Sequence, residues 1–249
     1  MPVAVTSYEE VVRWALGPGV GQQGRYVCVA NVHMCMEAFD NRDFHRVVDE
    51  ADLVVPDGRP LVWGLRLLGQ KKASQVRGAD LMMSLCKKAE KKKIPIGLYG
   101  GSPETLSRLV AFMKGALPDL AIPFCSSPPF RPLSKEEDEE YVKEIQRSGA
   151  KILFVGLGCP KQEYWMYKHR NRLQCVAVGV GAAFDFISGR KKNAPRYMQK
   201  TGLEWIFRLG TEPKRLLARY GRHNPRFIWY FGKQLLRSKQ DGDDRVSFE

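Results

Sequence analysis

Six short apolar segments recur along the first three quarters of the chain and alternate with longer amphipathic segments. The apolar segments cover residues 26–31, 51–56, 95–99, 121–125, 151–156 and 174–179. They are often rich in valine and isoleucine, and their apolar positions are mostly continuous. Continuous apolar runs are typical of strands that are covered on both faces. The pattern therefore predicts six buried strands.

The amphipathic segments between these strands have helical character. The predicted helices cover residues 33–50, 61–68, 79–92, 103–117, 135–147 and 161–172. Ser102 offers a cap before Pro103, which suits the first helical position, and Ser134 begins a capping-box pattern. Regular strand–helix alternation predicts an α/β fold with a Rossmann-like, doubly wound, mostly parallel sheet. Ligands of such sheets bind at the carboxyl ends of the strands.

The pattern changes after about Gly189, where strand-like segments stop and a basic, aromatic, helical segment follows. We predict a catalytic core of residues 1–192 and a helical C-terminal appendage of residues 193–249. At helical spacing, Phe227, Phe231 and Leu235 form one apolar stripe in this appendage. A helix lying in a membrane interface is one interpretation of the stripe, and an amphipathic helix packed on the core is the other.

Positive charge is concentrated in the same region. The chain has a formal net charge of +13, and residues 190–239 contain 14 Lys/Arg against two acids, a net of +12. A basic tail on a nearly balanced body predicts a polyanionic partner, which is a membrane surface, a diphosphate or a nucleic acid.

Several classes of protein are excluded by what the sequence lacks. No apolar run approaches the roughly 18 residues that a membrane-spanning helix needs, and the first residues do not resemble a signal peptide. The six cysteines form no C-x-x-C pair, which indicates buried, reduced thiols in a cytoplasmic protein. No two of the four histidines have metal-ligand spacing, so we predict no metal and no other cofactor. The histidines are His33, His45, His169 and His223.

Three strand ends carry candidate chemistry. Asn31 follows the first strand, where it suits either a helix cap or a ligand contact. Asp57 follows the second strand before Gly58, where it suits either a catalytic carboxylate or an Asp-Gly turn. Residues 156–163 form a glycine-rich turn after the fifth strand, which could hold phosphate at a helix N-terminus. Neither G-x-G-x-x-G nor a Walker motif is present.

Taken together, these segments resemble the WecG/TagA/CpsF family of bacterial glycosyltransferases, glycosyltransferase family 26. The similarity extends over roughly residues 25–220, and the order and spacing of its many short motifs make coincidence improbable. The matching stretches are residues 30–33, 51–58, 77–81, 98–101, 156–163, 179–186, 190–197 and 202–209.

The resemblance implies an inverting, metal-independent transferase with a Rossmann-like core and a C-terminal appendage. It implies a UDP-sugar donor and an acceptor sugar linked to undecaprenyl diphosphate, at the inner face of the cytoplasmic membrane. The products of the family feed teichoic-acid linkage units, enterobacterial common antigen or exopolysaccharides of the cell envelope. The resemblance also suggests self-association.

The resemblance further implies roles for individual residues. Asp57 matches the proposed general base, and Asn31 and Gln162 match residues near the reacting sugars. The remaining residues that we expect to bind substrate are Arg77, Asp80, Gly100, Gly158, Lys161, Glu163 and Asp185. The residues that we expect to bind the diphosphate of the lipid acceptor are Arg196, Arg208, Arg215 and Arg219.

Two positions depart from the family pattern. Val29 stands where the family often has Thr, and Arg59 stands where a small or apolar residue is common. Among the carboxylates, Asp80, Glu163 and Asp185 are alternatives to Asp57 as the base, although structural roles also suit them.

Three other functions remain as alternatives. A nucleic-acid-binding protein would use the basic, aromatic tail, but it leaves the strand-end motifs unexplained, so we predict no nucleic-acid partner. A nucleotide-cofactor oxidoreductase would need the complete dinucleotide fingerprint, which is missing. A non-catalytic protein that binds nucleotide sugars is the third alternative.

Overall fold

The computed structural model describes residues 1–241, except for the side chains of Arg196, Lys200, Arg215 and residues 238–241. The strands are β1 (Arg25–Ala30), β2 (Leu53–Pro56), β3 (Ile96–Gly100), β4 (Phe124–Ser126), β5 (Ile152–Gly156) and β6 (Val176–Gly179). The helices that pack around them are α1 (Tyr8–Ala15), α2 (Val32–Asp40), α3 (Arg42–Asp49), α4 (Arg59–Leu67), α5 (Gly78–Lys91), α6 (Pro103–Ala116), α7 (Lys135–Ser148), α8 (Lys161–His169) and α9 (Ala183–Ile187). The C-terminal helices are α10 (Arg196–Thr201), α11 (Glu204–Thr211) and α12 (Pro213–Asp241).

The six strands form one parallel sheet in the order β2-β1-β6-β5-β3-β4. All six predicted strands are confirmed, with bounds that shift by a few residues. The predicted Rossmann-like α/β class is confirmed as well.

Both faces of the sheet are covered because alternate residues of each strand enter different cores. In β1, Tyr26 and Cys28 belong to the core under α2, α3, α4, α7 and α8, whereas Val27 and Val29 belong to the core under α1, α5, α6 and α9. Such two-sided burial explains why the strands have continuous apolar runs.

The structure divides the predicted helix of residues 33–50 into α2 and α3. Asn41 lies between them in an extended conformation, and its Oδ1 accepts hydrogen bonds from the N–H groups of Asp43 (2.9 Å) and Phe44 (3.1 Å). An asparagine that caps a new helix in this way ends the preceding one. Helices α1 and α9 have no counterpart among the sequence predictions.

The apolar stripe of the appendage packs on the body. Phe227 is buried in the core beside α2, and Phe231 stacks on it with ring centroids 5.8 Å apart. Arg226 adds hydrogen bonds to both carboxylate oxygens of Asp40, at 2.8 and 2.5 Å. For Phe227 and Phe231, the interpretation of the stripe as membrane-facing is therefore wrong, and the alternative of packing on the core is confirmed.

No helix among residues 1–241 combines the length and apolar character that a membrane crossing requires. All six cysteines are free thiols, but burial is confirmed for only four, because Cys125 is exposed and Cys159 is partly exposed.

Candidate functional site

A cleft of about 490 Å³ opens at the carboxyl edge of the sheet, a volume within the range of small-molecule sites. Residues that follow β1, β2, β5 and β6 form its floor, and α11 and α12 of the appendage close one side. The cleft brings together most of the residues predicted to act on substrate. These are Asn31, Asp57, Arg77, Gly158, Gln162, Asp185, Arg208 and Arg219.

Asp57 follows β2 directly and faces the cleft with a half-buried side chain. Its Oδ1 accepts a hydrogen bond from the backbone N–H of Gly78 at 3.1 Å. Burial raises the pKa of Asp57 above its ordinary value, and the nearby charge of Arg208 and the Gly78 hydrogen bond oppose this rise. A carboxylate with a raised pKa that is held in one orientation is suited to accept a proton.

Asn31 is confirmed as a helix cap, and its place in the cleft keeps a ligand contact as a prediction. It caps α2, because its Oδ1 accepts a hydrogen bond from the backbone N–H of Met34 at 3.2 Å. The residue also lines the cleft. The cap fixes the Asn31 side chain beside Gly58, which is the residue after Asp57. A Cβ atom added to Gly58 would lie 3.5 Å from Cβ of Asn31.

Gln162 joins two loops of the cleft floor. Its Oε1 accepts hydrogen bonds from the backbone N–H of Gly158 (3.2 Å) and of Gly181 (3.1 Å). Its Nε2 donates to Oε1 of Glu163 at 2.7 Å. The side chain is 3% exposed, so these bonds hold the turns after β5 and β6 together in a region that excludes water.

Glu163 lies beneath this floor and is fully buried. Burial raises the pKa of its carboxyl to about 7, and the hydrogen bond from Gln162 opposes the rise. Because Glu163 supports Gln162 and does not line the cleft, its position is that of a residue that orients another side chain.

Among the described side chains around the cleft, cations outnumber carboxylates, five to three. Such an excess favours an anionic ligand. The cations are Arg77, Arg190, Lys191, Arg208 and Arg219, and the carboxylates are Asp57, Asp185 and Glu212.

The appendage supplies the arginines opposite the sheet. Arg208 pairs with Glu204 one turn earlier on α11, and its guanidinium lies 4.7 Å from the centre of the Phe186 ring. Arg219 lines the same side from α12. The stacked, ion-paired guanidinium of Arg208 is held in place before any ligand arrives.

Four residues predicted to bind substrate lie off the cleft lining. Asp80 is exposed and accepts hydrogen bonds from Tyr8 and Arg77, and Lys161 is exposed at the start of α8. Gly100 lies at the end of β3, and Glu163 is beneath the floor as described. The side chains of Arg196 and Arg215, also predicted to contact substrate, lie outside the part of the chain that the structure describes.

The cleft also contains residues that sequence analysis did not select. Arg190 donates hydrogen bonds to Ser102 and Thr105, both at 3.1 Å, and Lys191 bridges Asp185 (3.3 Å) and Glu212 (3.0 Å). Both residues belong to the basic region and to the matching stretch of residues 190–197, but neither signal indicates which cations face the sheet.

The two departures from the family pattern have different locations. Val29 lines the cleft, so the change from Thr removes a hydroxyl from the site itself. Arg59 begins α4 and lies beside the appendage, because its Cγ is 3.7 Å from the Cβ position of Gly202.

The chain is similar to proteins of known activity over most of its length. The family model described as "Glycosyl transferase WecG/TagA/CpsF family" matches residues 1–241. An N-acetylglucosaminyldiphosphoundecaprenol N-acetyl-beta-D-mannosaminyltransferase of Bacillus spizizenii (strain ATCC 23059 / NRRL B-14472 / W23) is 33% identical over 194 residues, 78% of this chain and 74% of the relative. The protein of the same description from Bacillus subtilis (strain 168) is 30% identical over 200 residues, 78% of this chain and 76% of the relative.

Proposed function

The chain belongs to the WecG/TagA/CpsF family of glycosyltransferases, and from that premise we propose that it transfers a sugar from a UDP-sugar to a sugar carried on polyprenyl diphosphate. One observation carries the proposal: a half-buried carboxylate, Asp57, faces the same cleft as an excess of cationic side chains. The relatives' descriptions make N-acetylmannosamine the first candidate for the donor sugar and N-acetylglucosaminyl diphosphoundecaprenol the first candidate for the acceptor.

The proposed reaction is a single displacement with inversion at the anomeric carbon. The acceptor hydroxyl attacks that carbon while Asp57 takes the hydroxyl proton, and the bond from the carbon to the UDP oxygen breaks. UDP leaves with the bonding electron pair. A positioned general base contributes about 10²–10⁴-fold to such a step. The raised pKa of Asp57 supports this role, because a more basic carboxylate accepts the proton more readily.

Negative charge grows on the departing diphosphate, and fixed positive charge stabilises it. Arg208 and Arg219 of the appendage are proposed to donate hydrogen bonds to this diphosphate. The N-terminus of α8, beside Gly158, adds the positive end of a helix dipole. Arg196 and Arg215 remain proposed contributors. The reaction as proposed needs no metal ion, because these groups supply the positive charge that Mg²⁺ supplies in other transferases.

A membrane-bound acceptor requires the cleft to approach the lipid surface. We propose the inner face of the cytoplasmic membrane, with the exposed face of α12 as the contact. Leu217, Ile228, Trp229 and Leu236 are each more than half exposed and lie within one sector of this helix. Nearby cationic residues such as Arg222 and Lys233 are also exposed, and each would add about 1 kcal/mol near an anionic leaflet. Self-association stays a prediction.

A panel of UDP-sugars tests the proposed function. Each is incubated with the protein and a short-chain polyprenyl-diphosphate N-acetylglucosamine, and UDP release and the disaccharide product are measured together. We expect UDP-N-acetylmannosamine to give both, with inverted anomeric configuration. Binding of UDP-sugars without UDP release would instead identify a non-catalytic protein and contradict the proposal.

A further inference from the structure

Three side chains from two helices meet beside the cleft, and the proposed transfer reaction uses none of them. His33 and Glu37 lie one turn apart on α2, with 3.6 Å between Nε2 and Oε1. His223 on α12 places its Nε2 3.7 Å from the same Glu37 oxygen. One ligand atom from each residue lies within 4.8 Å of the other two.

His223 is the least satisfied member of this group. The residue is 4% exposed, and its Nδ1 has no hydrogen-bond partner among the described residues. Its Nε2 contact with Glu37 is longer than a hydrogen bond. A buried polar ring with so few partners is a place where an ion or a water molecule belongs.

We propose that His33, Glu37 and His223 form a binding site for a divalent transition-metal ion of the zinc class. Donor atoms about 2.1 Å from a tetrahedral zinc ion stand about 3.4 Å apart. The two separations from Glu37 exceed this spacing only slightly, so small side-chain movements bring the ligands to an ion.

The ligand set selects the class of ion. Two imidazole nitrogens and one carboxylate oxygen suit Zn²⁺ and its neighbours, whereas Mg²⁺ and Ca²⁺ prefer sites built from oxygens. Three protein ligands also leave a coordination position for water.

An ion in this site would join two elements that carry cleft residues. Helix α2 begins immediately after Asn31, and α12 carries Arg219. The existing links between these helices include the Arg226–Asp40 ion pair, the packing of Phe227 and the ring contact between Phe39 and Tyr230. The bound ion would add a further link that holds the appendage against the core.

The expectation that the chain has no metal site rested on the spacing between histidines. That criterion does not detect this group, because its carboxylate lies one turn after His33 and its second histidine comes from a distant helix. Among the described residues this is the only group of three or more metal-ligating side chains that lie close enough to share an ion.

Metal binding to the full chain tests the inference without an activity assay. The chelator-treated protein is titrated with Zn²⁺ and with Co²⁺, and stoichiometry, affinity and the visible absorption of bound Co²⁺ are measured. We expect one ion per chain with micromolar or tighter affinity, and a Co²⁺ spectrum of low-coordinate type. At about 100 times the dissociation constant, Zn²⁺ should raise Tm by roughly 5–10 °C.

Variants locate the ion. His223→Gln and Glu37→Gln should each weaken binding by at least about tenfold, and hydrogen exchange in α12 should then no longer slow when Zn²⁺ is added. His45→Gln is the matched control: His45 lies within α3 and outside the group, so this variant should bind Zn²⁺ as the unaltered protein does. Absence of binding by the unaltered protein would overturn the inference, and so would undiminished binding by both cluster variants. The first of these outcomes does not depend on how well any variant folds.

Discussion

Nη2 of Arg77 lies 3.3 Å from Oε1 of Glu204, across the junction between the body and the appendage. Both side chains are largely buried, at 12% and 16% exposure. The same carboxylate of Glu204 pairs with Arg208, which faces the cleft. Arg77 also donates to Oε1 of Gln199 at 2.5 Å. The position of Arg208, a proposed ligand of the diphosphate, therefore depends through Glu204 on Arg77, which belongs to the body.

Replacement of Arg77 by Lys should loosen α10 and α11. A lysine has one nitrogen in place of the two in the planar fork, so it holds Gln199 and Glu204 together less well, and Glu204, the partner of Arg208, becomes less well positioned. We expect kcat/KM to fall by about tenfold or more, which corresponds to about 1.4 kcal/mol, and hydrogen exchange in α10 and α11 to accelerate. Steady-state kinetics and exchange mass spectrometry measure the two effects.

The matched control for this change is Arg108→Lys, because Arg108 forms an exposed ion pair with Glu104. Exposed pairs contribute about 0–1 kcal/mol, so activity and exchange should stay close to those of the unaltered protein. Equal effects of the two substitutions would exclude a specific role for Arg77 at the junction.

Replacement of Gly100 by Ala should destabilise the floor of the cleft. Gly100 has a φ of +114°, and an added Cβ would lie 2.6 Å from the backbone carbon of Gly156. The strained backbone alone costs about 1–3 kcal/mol, and β3 and β5 would also have to separate. Chemical denaturation should show a loss of at least about 2 kcal/mol in the free energy of unfolding.

Gly115→Ala is the control for Gly100→Ala, and it should increase stability, not lower it. Gly115 lies in α6, and an added Cβ would meet no atom within 4 Å. Alanine is the better helix former by about 0.5–1 kcal/mol, so this variant should be slightly more stable than the unaltered chain. A stable Gly100→Ala protein would show that the close approach to Gly156 is not required.

Replacement of Glu163 by Gln should change how stability depends on pH. Burial raises the pKa of Glu163 to about 7 from an ordinary value of 4.5, so the folded state holds this proton more tightly than the unfolded state. The associated stability is fully present below pH 4.5 and is lost as pH rises through 7. As pH rises from 4.5 to 8, the free energy of unfolding of the variant should increase by up to about 3 kcal/mol relative to that of the unaltered protein. Denaturation curves with a constant difference across this pH range would contradict the assignment.

Mg²⁺ and Mn²⁺ should have little effect on turnover. Among the described residues, the cleft carboxylates form no group of three or more ligands that could share such an ion, and arginines are the proposed partners of the diphosphate. We expect addition of either ion to change the initial rate by less than about twofold, a free-energy change well under 1 kcal/mol. A large stimulation by Mg²⁺ or Mn²⁺ would show that the arginines are not sufficient.

Most of the fold was predictable because the central strands are covered on both faces and most of the longer helices are amphipathic, so local sequence specifies local structure. Asn31 and Asp57 could be predicted as neighbours in one site for a related reason. They directly follow two neighbouring strands, and the carboxyl ends of parallel strands meet at one edge of the sheet.

Other residues could not be placed from the sequence. Lys161 and Gln162 are neighbours in one motif, but the helix directs the first to solvent and the second into the core. A motif does not specify which face of a helix points inwards when both residues are polar. Likewise, the stripe with Phe227 was visible, but its burial depends on α2, which is distant in sequence.

The central claim is that Asp57 removes the proton from the acceptor hydroxyl, and the Asp57→Asn variant tests it most directly. Asparagine preserves the shape and can still accept the Gly78 hydrogen bond, but it cannot act as the base. We predict that the rate of UDP release with acceptor falls by about 10²–10⁴-fold, while the dissociation constant for UDP and the Tm stay close to those of an Asp119→Asn control. A variant that binds UDP and turns over at the rate of the unaltered protein would contradict the account.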